Sequence, residues 1–199
     1  MKQITFKQYR SIDLSIICLL TAGFELLIGI ATNRWFVAQP MAVSLITTMT
    51  CIAMLRWNAY ALLPALIGAV AYCISLGANF SQYIIYCGGS LFTILALPIL
   101  KKLGKDEVRR DFFKRAVFIT STFVFMILGR WICSLPFDFK FQSLITFFTT
   151  DILSLLFAWI VVSLAKNADG LLEDQKSYLL RIEEERNAEQ EQFFKDDFQ

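Results

Sequence analysis

AYALLPALIGAVAYCISL, residues 59–76, holds no charged residue in 18 positions. A helix of about 20 apolar residues crosses a hydrocarbon core roughly 30 Å thick, so the stretch has close to the length and polarity of a membrane span. Leu14 to Ala31 and Ala116 to Gly129 are similarly poor in charge. One such run could be a buried helix of a soluble domain, but a succession of them along 199 residues is the pattern of a polytopic membrane protein. The spacing predicts six spans: 12–31, 39–55, 59–76, 82–100, 116–134 and 143–165. The fold class expected is all-α, a membrane bundle of about six transmembrane helices (residues 1–166), followed by a charged, helical cytoplasmic tail (167–199).

Composition supports this reading. The apolar share is 56% and the charged share 18%, against about 25% in typical soluble domains. Mean hydropathy is +0.55. A net charge of +2 speaks against a nucleic-acid partner. There is no histidine, which removes the commonest metal ligand and proton shuttle. Cys18, Cys51, Cys73, Cys87 and Cys133 all lie in apolar segments without a CxxC pair and read as packing residues. The basic, then apolar N-terminus has a long apolar run and no small-x-small cleavage site, and reads as a retained first helix.

Within the spans, Pro40 is expected in a first helical turn. Arg56, Trp57 and Asn58 form a turn, and Pro64 is expected to kink the third span. Gly88 and Gly89 permit close backbone approach. Basic residues orient the bundle. With the N-terminus inside, Lys2, Lys7, Arg10, Arg56 and the cluster Lys101, Lys102, Lys105, Arg109, Arg110, Lys114 and Arg115 are cytoplasmic, and the C-terminus follows. The segment 101–115 reads as a short amphipathic helix on the membrane surface. It serves as the positive-inside anchor or, in a sharper reading, contacts lipid phosphate or a partner. The tail 166–199 is rich in helix formers, with Leu172, Leu179 and Ile182 as an apolar stripe. It reads either as a solvated helix or as a docking helix.

No catalytic motif, nucleotide loop or metal-ligand spacing is present, so no enzyme activity, cofactor or metal is expected. The chemistry concentrates in Glu25, Arg130 and Asp151. A charge in the hydrocarbon core costs at least ~2.5–3.5 kcal/mol, so such residues face the bundle interior or water. At ~1.5 Å per residue they lie roughly 9, 6 and 12 Å from the outer ends of their spans, in one slab. Two readings stay open: an outward polar pocket, in which Arg130 pairs with an anionic solute group and Tyr86 stacks on it, or a structural ion pair. Asn79 and Gln82 in the outer loops join the candidate ligand-binding set. Asn79-Phe80-Ser81 matches a glycosylation sequon, a chance match in so short a loop. Ala61, Ala65 and Ala69 form a small-residue ladder, either an internal packing face or a docking surface for a partner membrane subunit.

Six short spans, both termini inside and an outward polar pocket resemble the substrate-binding S component of energy-coupling factor vitamin transporters. The stretch RWNAYALLPALIGAVAYCISLGANFSQYIIYCGGSLFTILALPILKKLGK, Arg56 to Lys105, is similar in texture to the third and fourth helices of that family. The resemblance implies capture of a vitamin-like small molecule from outside, with a membrane coupling subunit and two cytoplasmic ATPases as partners. It departs from the family in one respect: the family's AxxxA docking motif belongs in the first helix, and the alanine ladder here is in the third. The size is also similar to that of the cell-shape membrane protein MreD. That reading is of a non-transport scaffold acting through its cytoplasmic loop and tail.

Overall fold

A computed structural model describes residues 5–35, 43–137 and 141–167, together with Leu172, Gln175, Tyr178 and Leu180. Gln39, Pro40, Lys140 and most of the tail, including Leu179 and Ile182, lie outside the described residues. All described regular structure is helical: α1 (Phe6–Trp35), α2 (Ile46–Trp57), α3 (Leu62–Leu76), α4 (Phe80–Phe92), α5 (Leu97–Leu103), α6 (Lys105–Arg110), α7 (Phe112–Ser134) and α8 (Gln142–Ala165). Single 3₁₀ turns at Asn58–Ala61 and Thr93–Ala96 join α2 to α3 and α4 to α5.

Five helical runs are long and apolar enough to cross a membrane: Phe6–Trp35, Ile46–Leu76, Phe80–Leu103, Phe112–Phe137 and Gln142–Ala165. The third expected span, 59–76, and residues 46–55 of the second, expected over 39–55, fall within Ile46–Leu76. That run is folded back on itself. Asn58 adopts φ 54° and ψ −122°, outside the helical region, at the position where the sequence places a turn. Contacts with α1 establish the reversal. Along α1, Asp13 meets Arg56 and Glu25 meets Leu45, so α2 is antiparallel to it. Thr21 meets Gly68 and Asn33 meets Ser75, so α3 is parallel to it. At 12 residues α2 spans only about 18 Å, so its N-terminal end opens at the level of Glu25, well below the end of α1.

Pro64 does not kink a helix interior. It lies in the first turn of α3, immediately after the 3₁₀ turn, where a missing N–H breaks no helical hydrogen bond. The far end of α3 closes on Gly77 at φ 63°, with Ala78 N donating to Cys73 O and Gly77 N to Ile74 O. Two residues later a reciprocal capping box opens α4: Gln82 N donates to Asn79 Oδ1 and Asn79 N to Gln82 Oε1. The bundle therefore turns tightly between α3 and α4.

Close packing uses small residues. A Cβ on Gly68 would stand 2.8 Å from Thr21 Cγ2, and one on Gly89 3.0 Å from the backbone of Met126 and Arg130. Gly89 thus sets the distance between α4 and α7. Ala61, Ala65 and Ala69 are fully buried within the chain, so their methyls face the bundle's own helices rather than an open docking surface.

The bundle presents polar groups inward and large apolar groups outward. Thr21, Glu25, Arg130, Asp151 and Ser154 are buried, whereas Leu19, Leu27, Ile74, Ile160 and Leu164 are more than half exposed. Fewer than half of the residues in each run's apolar core are covered by the chain itself. So much outward apolar surface needs a hydrocarbon cover, which a bilayer supplies while the helices satisfy their own backbone groups.

Both ends of the described chain meet. Tyr9 Oη donates to Gln175 Oε1 at 3.1 Å, and Leu172 and Gln175 are buried against the bundle. Gln175 thus lies beside the start of α1.

Candidate functional site

Glu25 on α1 is fully buried. Its Oε1 accepts from Leu45 N at 2.6 Å and from Ser44 Oγ at 3.1 Å. Ser44 Oγ in turn accepts from Ile46 N at 3.2 Å, and Ser44 N donates to Ser154 Oγ on α8 at 2.9 Å. The first N–H groups of a helix have no partner inside it, and the helix dipole favours negative charge there. Glu25 therefore serves as the external cap of α2. That is the local reason a short helix can begin deep within an apolar bundle.

Arg130 on α7 is 1% exposed and Asp151 on α8 4%. Arg130 Nη1 donates to Asp151 Oδ2. The guanidinium lies 4.6 Å from the centroid of the Tyr86 ring, and Tyr86 packs on Tyr72 at 5.2 Å between centroids. Met126 Sδ lies between Arg130 Nη2 at 3.7 Å and Thr47 Oγ1 at 3.6 Å. Asp151 and Ser154 stand one turn apart on α8, so the carboxylate pair and the serine bridge form one polar core across α1, α2, α7 and α8. Arg130 and Glu25 attract one another within it.

Two atoms of this core have no hydrogen-bond partner among the described residues: Glu25 Oε2 and Arg130 Nε. Formally the core holds one cation and two carboxylates. Arg130 is engaged by Asp151. The unengaged oxygen belongs to Glu25, and it suits a cation or a hydrogen-bond donor.

The structure thus brings together Glu25, Arg130, Asp151 and Tyr86. Asn79 and Gln82 stand apart: both are exposed, and their side chains are used in capping α4. The capping box also accounts for the polar pattern that mimics a glycosylation sequon.

A second ionic cluster is absent from the sequence reading. Nearer the start of α1, Arg56 donates to Asp13 twice, Nε to Oδ2 at 3.0 Å and Nη2 to Oδ1 at 2.6 Å, and Trp57 Nε1 donates to the same carboxylate. Phe6 and Tyr9 pack on Trp57 at 5.9 and 6.3 Å, and Arg10 lies 4.2 Å from the centroid of Tyr60. The signal was available. Asp13 is an acid inside an apolar run, and Arg56 ends the neighbouring run at the same depth once the two are antiparallel.

Among the described residues no group of three or more cysteine, aspartate or glutamate side chains is placed to hold a metal ion. No protein-family model, curated protein or solved structure matches the chain. Outward apolar faces, an inward polar core and several membrane-length helices are the properties of a multi-pass α-helical membrane protein.

Proposed function

We propose that the protein is a solute-recognising membrane subunit that binds a small polar molecule at the Glu25–Arg130–Asp151 core. The observation that carries this reading is the pair of buried, unpartnered atoms, Glu25 Oε2 and Arg130 Nε, within an otherwise paired network. An unmet buried polar group costs about 1–3 kcal/mol, and more when charged, so the core is primed to receive a ligand atom at each. Ionisable groups at membrane depth are functional candidates by default. The excess carboxylate favours a cationic or hydrogen-bond-donating solute over an anion.

The basic residues at the Tyr9 and Trp57 end support a cytoplasmic assignment for that end and for both termini. The core then lies nearer the outer face, and the solute enters from outside. The resemblance of the sequence to the S components of energy-coupling factor transporters extends the proposal to a membrane coupling subunit and cytoplasmic ATPases as partners. With Ala61, Ala65 and Ala69 buried, such docking uses the exposed apolar faces instead.

The test is purification of the tagged chain in mild detergent, with mass spectrometry of both co-purifying small molecules and proteins. A near-stoichiometric solute in the wild type, reduced at least tenfold in a folded Glu25→Gln variant, is expected. Absence of any solute together with recovery of cell-envelope or cytoskeletal proteins would replace this reading with that of a scaffold.

A further inference from the structure

The segment Lys101–Arg115 carries seven basic residues against three acidic ones, a net of +4, while the remaining 12 basic and 14 acidic residues leave the rest of the chain at −2. This is no unstructured charge run. α5 ends at Gly104, which adopts φ 79°, and α6 is pinned by Val108, fully buried. Asp111 then caps α7 through Phe113 N at 2.9 Å. The segment is thus held against the bundle end in a fixed shape.

Its acids are largely occupied. Glu107 takes Lys114, and Asp111 is used in the cap. Arg115 is buried, with Nη1 donating to Arg109 O at 2.9 Å, its guanidinium 5.8 Å from the Phe112 ring centroid and its Nε without a partner among the described residues. Lys101, Lys102 and Arg110 are exposed. Beside this charge, Phe112 is 62% and Phe113 72% exposed. Bare phenylalanines next to exposed cations fit one environment, the boundary between acyl chains and headgroups, where the rings enter the hydrocarbon and the cations meet phosphate.

We propose that this surface binds the headgroup of an anionic glycerophospholipid, with Lys101, Lys102 and Arg110 on the phosphate and Phe112 and Phe113 among the acyl chains. The proposal rests on charge complementarity and the adjoining aromatic pair, independently of the solute reading. A basic residue near an anionic membrane surface contributes about fivefold in affinity, so three supply roughly a hundredfold preference.

The experiment is native mass spectrometry of the full chain in detergent, titrated with phosphatidylglycerol or with phosphatidylcholine. Wild type should retain phosphatidylglycerol about a hundredfold better. The K101Q/K102Q/R110Q variant should lose that preference, and K7Q/R34Q/K166Q, which removes as much charge at other exposed positions, should keep it. Millimolar inorganic phosphate should not displace the lipid. Equal retention of the two lipids, equal loss in both variants, or displacement by phosphate overturns the proposal. If the first triple variant does not accumulate, the single variants K101Q, K102Q and R110Q are scored the same way. Each should lose about fivefold, and singles that match wild type overturn it.

Discussion

Replacing Arg130 by methionine leaves Asp151 buried at 4% exposure with its partner gone. Truncating one member of a buried pair costs about 3–5 kcal/mol, and a lone carboxylate at membrane depth is worth at least ~2.5–3.5 kcal/mol by itself. The cation–π contact with Tyr86 is lost too, in part offset because a thioether also packs on an aromatic ring. About 3 kcal/mol is therefore expected, more than a hundredfold in the unfolding equilibrium. Asp151→Leu alone should cost somewhat less, because Glu25 still attracts Arg130. The double variant Arg130→Met/Asp151→Leu removes both charges and replaces them with apolar volume, which for buried pairs is often neutral or stabilising. It should cost less than Arg130→Met alone, the remaining cost being the attraction to Arg130 that Glu25 loses in both. Reversible unfolding in bicelles, run as a double-mutant cycle, reads the coupling directly. Single-variant costs near the ~0.6 kcal/mol average for interhelical hydrogen bonds in membranes would refute the reasoning. So would a double variant whose cost is the sum of the singles.

Two further expectations use the same assay. Asp13→Asn should cost about 2 kcal/mol by weakening the paired donation from Arg56 and the bond from Trp57. That loss should add to the Arg130→Met loss within about 0.5 kcal/mol, because Asp13 and Glu25, which join the two clusters to α1, are 12 residues and so about 18 Å apart; marked non-additivity would mean that they communicate. Gly89→Ala should destabilise by about 1–3 kcal/mol, since the new methyl meets the Met126 and Arg130 backbone. Gly23→Ala meets nothing within 4 Å and should be neutral or stabilise by up to about 1 kcal/mol. Equal effects at the two glycines would show that helix propensity, not the α4–α7 approach, governs both.

The apolar runs, the turn at Arg56–Asn58 and the all-α class are legible from residue order. The bilayer charges a cost to each residue locally, so hydropathy along the chain is a direct record of it. The same local cost marks Glu25, Arg130 and Asp151 as residues that must face inward. Asn79 and Gln82 form a helix cap that the sequence reading did not weigh, because exposed polar residues near a helix start serve a cap as readily as a ligand. Ser44 and Ser154 carry no mark of their own. They matter because α2 begins at the depth of Glu25, which follows from the reversal at Asn58 and the shortness of α2.

By itself, then, the sequence determined which stretches seek hydrocarbon and which few charges must hide from it, because both are single-residue transfer energies. Only the tertiary structure decided who meets whom. Arg130 is already claimed by Asp151, Glu25 caps a helix, Asp13 holds Arg56, and the alanine ladder packs inward. Pairing depends on the rotation and depth of each helix relative to its neighbours, and those are set by packing across the whole bundle, such as the approach that Gly89 permits between α4 and α7.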